Sequence, residues 1–404
     1  EEALEQEMNL LSMNDKATIN FDVHGIKQQQ QQQMIPQSQM LDQESFFGTG
    51  TVHSSDSNSS NNNITDNNID SYLQQLEEEL RTQCNSNNNN NDTNADTTDT
   101  ETVTAAAFLE AQKMNPSYVN SKEFRVIFLR RYLDTTTHTY DVPKAAQKIF
   151  LHFHTKKMIF GTSTSTSTST GAGGTTTTND NDILGRDVRL SDLSIEDRRS
   201  LDSGAWQIMP HRDTAGRAIM LYAPQQRIFD TIDNWLKAQW YVMWQCAKSV
   251  ENSRDNIGVI VIVYFRGWLE TDTDTGIKRD TFEEAQQCTL VREAIPNRLV
   301  ALHYCYQDAS MQAFMTAQQV HFLTRNLRSR FREHFSHDHQ EICFQLETYG
   351  IPIDKQILLP NGHLGMKWYN EWIQIRVAQE AETEAAEALH SGSGSGSGNE
   401  TKST

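Results

Sequence analysis

The chain has 404 residues and a formal net charge of −18, but that charge sits near its two ends. Residues 1–115 carry 4 Lys/Arg against 19 Asp/Glu and residues 377–404 carry 1 against 5, which leaves 30 basic and 29 acidic residues between them. A near-neutral middle lacks the basic excess that non-specific nucleic-acid binding requires, and no stretch of the sequence approaches the ~20 apolar residues of a membrane-spanning helix.

Residues 1–103 are dominated by Gln, Asn, Ser, Thr and Asp and include the runs Gln28–Gln33 and Asn87–Asn91. Apolar side chains this sparse do not offset roughly 1–2 kcal/mol of backbone entropy per ordered residue. The stretch therefore reads as a disordered acidic tail, with Asp70–Arg81 as a transient acidic helix within it. Such repeat-expanded tracts are commoner in eukaryotic proteins. The five cysteines, Cys84, Cys246, Cys288, Cys305 and Cys343, are odd in number and widely spaced. That pattern suits buried thiols in a reducing, cytoplasmic setting better than a disulfide framework or a thiolate metal site.

Order is expected from Thr104. Thr104–Lys113 is helix-prone, and Ser121 is placed to cap a helix over Lys122–Leu133. Val142, Ala145, Ala146, Ile149, Phe150 and Phe153 then repeat at the spacing of one apolar helical stripe, with Pro143 in the first turn. The Ser/Thr/Gly-rich residues 162–183 read as a loop inserted within a domain.

Beyond it, Leu190–Leu201 predicts a short helix with Ser194 as its cap and Asp197 three residues on. Ala218–Tyr222 predicts a strand, Gln226–Val250 a long amphipathic helix, and Val259–Phe265 a strand buried on both faces. Asp280–Ile295 reads as helix, Leu299–Tyr304 as strand, Ser310–Phe335 as helix and Ile342–Thr348 as strand. A last helix runs from about Trp368 to Leu389. Strands alternating with helices predict a parallel sheet with helical crossovers. The fold class is thus α/β: a mainly parallel sheet with flanking helices, preceded by a small helical N-terminal subdomain. The boundaries fall at 1–103, 104–161, 162–183, 184–376 and 377–404, the last an acidic helical end with a Gly/Ser tail.

These elements resemble the CRAL-TRIO lipid-binding family over roughly Phe124–Arg376. Phe124–Leu133 with Tyr140–Phe153 is similar to that family's helical entry module, with Asp134–His138 inserted between the halves. Arg212–Tyr222 (RDTAGRAIMLY) is similar to its D-x-x-G-R-P strand signature, with Ala218 in place of Pro. Gly258–Gly267 (GVIVIVYFRG) stands at its second strand, with Tyr264 where an Asp is usual. Leu299–Cys305 resembles its third strand, followed by Tyr306, Gln307 and Asp308 in place of Asn-x-Pro. Gly362–Leu364 loosely matches its closing G-G-x-L.

The resemblance implies a non-catalytic protein that binds, and passes on, a lipid or other small hydrophobic molecule beneath a gating helix. Met311, Phe314, Met315, Val320 and Leu323 would lie on that helix, an adaptable apolar surface that could also touch a bilayer. One face of the strands would be the floor, either Val259, Val261, Val263 and Phe265 or their alternates. Leu299, Ala301, His303 and Cys305, or their neighbours, would continue it. Arg325, Arg328 and Arg332, spaced for one helical face, would suit a phosphate headgroup. The alternative is a degenerate member whose pocket is filled by its own side chains, acting as an interaction or membrane-tethering scaffold.

No catalytic set is expected. There is no G-x-S-x-G, Gly171–Gly174 lacks the Lys-Ser/Thr of a phosphate loop, and Asp272 and Asp274 fit a surface turn. His334, His337 and His339 lack the helical pairing of a metalloprotease, so no metal and no cofactor are expected. The remaining expectations are a cytoplasmic monomer, peripheral to membranes at most, with no nucleic-acid partner.

Overall fold

The computed structural model describes residues 66–89, 100–134, 137, 139–161, 180–228, 231–251, 258–266, 281–307, 311, 330–353 and 356–392. Its N-terminal part is helical: α1 (Asp66–Asn89), α2 (Thr100–Met114), α3 (Pro116–Val119), α4 (Lys122–Arg131) and α5 (Val142–Phe160). A two-residue antiparallel pair, β1 (Leu133–Asp134) and β2 (Thr139–Tyr140), joins α4 to α5. Ser121 caps α4 as expected, and Asp141 caps α5. Ser121 Oγ accepts from Phe124 N at 3.2 Å, and Asp141 Oδ1 accepts from Lys144 N at 3.2 Å, each satisfying a first-turn amide.

Helix α1 corrects the reading of residues 1–103 as tail throughout. It spans 24 residues, and Ile69, Leu76, Leu80 and Cys84 are buried. Leu76, Leu80 and Cys84 join the same core cluster as Phe128, Ala145 and Ile149. The helix is amphipathic, and one tertiary apolar stripe is enough to order it where its polar composition alone would not.

The second part is a five-stranded sheet in the order β3 (Trp206–Ile208), β4 (Ala218–Tyr222), β5 (Val259–Tyr264), β6 (Leu299–Tyr306), β7 (Phe331–Phe335). β3 is antiparallel to β4, and the other pairs are parallel. Helix α6 (Ile195–Asp202) precedes the sheet with the expected capping box, Asp197 N on Ser194 Oγ and Ser194 N on Asp197 Oδ2. Helices α7 (Ile232–Glu251) and α8 (Thr281–Ala294) follow β4 and β5, and α9 (His339–Thr348) and α10 (Lys367–Gly392) follow β7. The chain is therefore a mixed helix-and-strand fold on a mostly parallel sheet, as expected.

Strands that pair in sequence order through right-handed crossovers place their helices on one face. Here Ala218, Met220 and Val259 meet Trp240, Met243 and Val291 of α7 and α8 on that face, while Ile219, Leu221, Ile260 and Ile262 meet Ile342 and Leu346 of α9 on the other. We call these the crossover face and the α9 face.

Three assignments are corrected. Residues 342–348 lie in a helix and not a strand: Asp338 Oδ1 accepts from Gln340 N at 2.9 Å, and His339, Ile342 and Leu346 recur at helical spacing on its buried side. Phe331–Phe335 is strand and not helix: Phe331 and His334 are buried on opposite faces while Glu333 and Phe335 are exposed, so the segment shows no apolar alternation. The long helix expected from Gln226 begins at Ile232, after a 3-10 turn over Pro224–Gln226.

A one-residue irregularity sets which side chains face where. Val259 pairs with Leu299 but Ile260 pairs with Ala301, so Val300 is an extra residue on β6. Gly258 makes room for it, with φ of +91° and the position of a would-be Cβ only 2.5 Å from Val300 Cγ1. Beyond a bulge, every side chain changes face relative to the unbulged register.

Candidate functional site

On the crossover face, Val261 and Val263 of β5 align with Leu302 and Tyr304 of β6 and, beyond Leu302, with Phe331 of β7. Val263, Phe265, Leu302, Tyr306, Met311 and Phe331 form one buried apolar cluster, with Tyr222, Val261, Leu299 and Tyr304 packed against it. Val261 stands in the middle of the central strand yet is only partly buried, as are Tyr222, Leu299 and Tyr304 around it. A central-strand residue is ordinarily covered on both faces in an α/β sheet. Among the described residues, this apolar floor is incompletely covered.

Aromatic rings border the floor. Trp206 stacks on Tyr222 with centroids 4.4 Å apart, and Trp235 stands 5.8 Å from Tyr222. On the far side Tyr304 lies between Phe265, at 5.6 Å, and Phe331, at 4.7 Å. Tyr306 donates its hydroxyl to Glu333 at 3.0 Å.

One basic group, Arg292 of α8, acts both on the floor and on a lysine of α5. Burial first, and the Arg131 guanidinium second, hold the Lys148 ammonium of α5 down to about 7, with Arg292 of α8 adding to the effect and Glu293 opposing it. Burial raises the Tyr304 phenol, and the same Arg292 acts on it in the opposite direction. Arg292 thus stands within electrostatic reach of both the lysine and the floor.

The residues expected to form one pocket are divided between the two faces. Val261 and Val263 are on the crossover face, and Met311 is buried against that same floor. His303 and Cys305 are on the α9 face and do not line it. The Val300 bulge is the reason: Leu302, Tyr304 and Tyr306 take the floor positions, and these are the neighbours that strict alternation from Leu299 skips. Arg332, expected beside Arg325 and Arg328 on a helix, is a β7 residue on the α9 face, paired in register with His303. Phe314, Met315, Val320, Leu323, Arg325 and Arg328 lie outside the described residues, as do Asp272, Asp274 and Gly171–Gly174.

The α9 face is closely packed and carries a polar group of its own. His303 Nδ1 and His334 Nε2 are 2.8 Å apart, the rings are 9° from parallel, and the residues are only 1% and 3% exposed. Tyr349 meets both rings edge-on, at 5.0 and 5.5 Å. Tyr264 Oη is 2.7 Å from His339 Nδ1. Among the described residues, no three His, Cys, Asp or Glu side chains are gathered as metal ligands would be, and no helix is long and apolar enough to cross a membrane.

The fold and floor define a class, a mixed α/β protein whose mostly parallel five-stranded sheet leaves an apolar patch of one face partly open. No protein-family model matches the chain, and no curated protein matches its sequence.

Proposed function

We propose that the chain binds one lipid or similar small hydrophobic molecule on the crossover-face floor, without catalysing a reaction on it. The observation that carries this reading is the partial exposure of Val261 at the centre of the sheet, within a ring of apolar and aromatic side chains. Each Å² of apolar guest removed from water there is worth about 25 cal/mol, so an acyl chain covering the floor gains several kcal/mol. Ligand pockets of this kind are mostly apolar with a few polar groups at the margin. Arg292, within electrostatic reach of Tyr304, supplies a positive charge at the margin that suits an anionic head.

The resemblance to the CRAL-TRIO family, with its gating helix and transfer of the guest, belongs to this proposal. So do a monomeric state, transient contact with a membrane surface and a cytoplasmic location. A scaffold without a guest is the second reading. It is favoured by Met311, a residue of the chain itself that already occupies part of the floor.

Filling the floor separates the two. Val261→Trp and Leu302→Trp are each expected to lower uptake of a fluorescent acyl lipid at least tenfold, while Val261→Ile retains it, with folding followed by circular dichroism. Equal uptake by all three variants and the parent chain would remove the floor from the account.

A further inference from the structure

The His303–His334 pair joins three elements, β6, β7 and, through Gln345, α9. His334 Nδ1 lies 3.2 Å from Gln345 Oε1. A carbonyl oxygen only accepts, so His334 carries its proton on Nδ1 and its Nε2 is the bare, accepting nitrogen. The bond at 2.8 Å then runs from His303 Nδ1–H to His334 Nε2. Both rings are neutral in this arrangement, in which Gln345 sets the His334 tautomer and His334 in turn that of His303. A proton added at His334 Nε2 would either set two N–H groups against each other or force His303 to move its own proton to Nε2, and in both cases it leaves a charge in the buried pair.

The surroundings offer such a charge nothing. The ionisable groups that face the pair are Arg332 on β7, Arg217 ahead of β4 and the Tyr349 phenol after α9. The Arg217 charge is itself held by Asp213 at 2.6 Å. Among the described residues no carboxylate acts on either ring. Burial, then the His334 ring and the two guanidiniums, keep His303 far below the ordinary histidine range. Burial holds His334 down to about 4, partly offset by its bond to Gln345.

We infer that the His303–His334 pair is a proton-operated latch, which docks β7 and α9 onto the sheet when neutral and releases them on acidification. The consequence reaches the other face, because Phe331 of the same β7 strand is part of the apolar floor. Loosening β7 disturbs that floor, so a mildly acidic surface would favour loss of whatever occupies it. This last step rests on the guest-binding reading; the latch itself does not.

The sign follows from the two neutral rings. Undocked, each histidine binds a proton near pH 6.5; docked, it does not until the pH is far lower. Docking is therefore at full strength above pH 6.5 and weakens as the pH falls toward 4. Between pH 7 and pH 5, release should become about 20-fold more frequent for His334 alone and about 400-fold for the pair.

Hydrogen–deuterium exchange of the full chain over residues 331–335 and 339–348, divided by the intrinsic rates at each pH, reads this without any lipid. His334→Gln should remove about 20-fold of the acid response, and His303→Asn with His334→Gln should abolish it. An equal acid response in parent and variants would overturn the latch, as would lost protection that is the same at both pH values. Ring titrations by NMR give a check on the unaltered protein: both rings should stay neutral at pH 5.5, and a titration of either near 6.5 ends the idea. If no lipid is ever taken up, the exchange result still stands or falls by itself.

Discussion

Lys248 of α7 reaches Asp187 at 2.6 Å, and the same carboxylate accepts from the Trp244 indole at 2.9 Å and the Tyr118 hydroxyl at 2.7 Å. Tyr118 belongs to the helical part and Lys248 to the sheet-bearing part, so one carboxylate ties the two together. Burial alone would raise Asp187, but the Lys248 ammonium and the donated hydrogen bonds outweigh it and hold the group well below the usual carboxylate range.

Asp187→Asn should therefore cost about 1–3 kcal/mol in urea unfolding at pH 7, a figure moderated by the 29% exposure of the side chain. A depressed carboxylate contributes above its ordinary pKa of about 4 and loses that contribution as the pH falls below it. The gap between parent and variant should accordingly narrow below pH 4.

Helix α1 gives a second prediction. Leu76 is fully buried in the main core cluster, and a cavity there is expensive. Leu76→Ala should lower stability by about 2–4 kcal/mol. A disordered residue 76 would leave the urea midpoint where it is.

His152 is enclosed by aromatic rings, with Phe128 at 5.3 Å, Trp240 at 4.9 Å and Trp244 at 4.8 Å between centroids. Burial, then the Lys156 ammonium, keep its ring neutral well below the ordinary range. Its contribution to stability is present above about pH 6.5 and is lost as the pH falls. His152→Phe should unfold within about 1 kcal/mol of the parent at pH 7.5 yet be about 2 kcal/mol more stable than it at pH 5. Parallel pH profiles for the two proteins would contradict this.

The bulge at Val300 supplies a fourth. Gly258→Ala places a methyl group at φ of +91° against Val300 Cγ1 and Arg298 O. The expected cost is about 1–3 kcal/mol. Because the bulge sets which β6 residues face the floor, lipid uptake should fall as well. A variant with unchanged uptake would show that the β6 register does not shape the floor.

Much of the architecture is legible in the sequence because its signals are local. The caps at Ser121 and Ser194, the apolar stripe of α5 and the apolar run of β5 each follow from neighbouring residues. What is not legible depends on distant partners. β7 hides because Arg332 and His334 are polar in sequence and buried or half-buried only through His303 and Tyr349. α1 hides because its order comes from the α4–α5 hairpin. The floor was half legible: β5 offers Val261 and Val263 as one of two alternating rows without choosing between them, and a single extra residue at Val300 moves His303 and Cys305 to the opposite face, which no pattern along β6 announces.

Native mass spectrometry of the full chain, purified from cells without added detergent, bears most directly on the guest-binding account. The account predicts one hydrophobic molecule per chain, displaced by an added acyl lipid and lost from Val261→Trp. A chain that carries nothing, takes up no lipid and has the same mass as its Val261→Trp counterpart once the substitution is allowed for would contradict it.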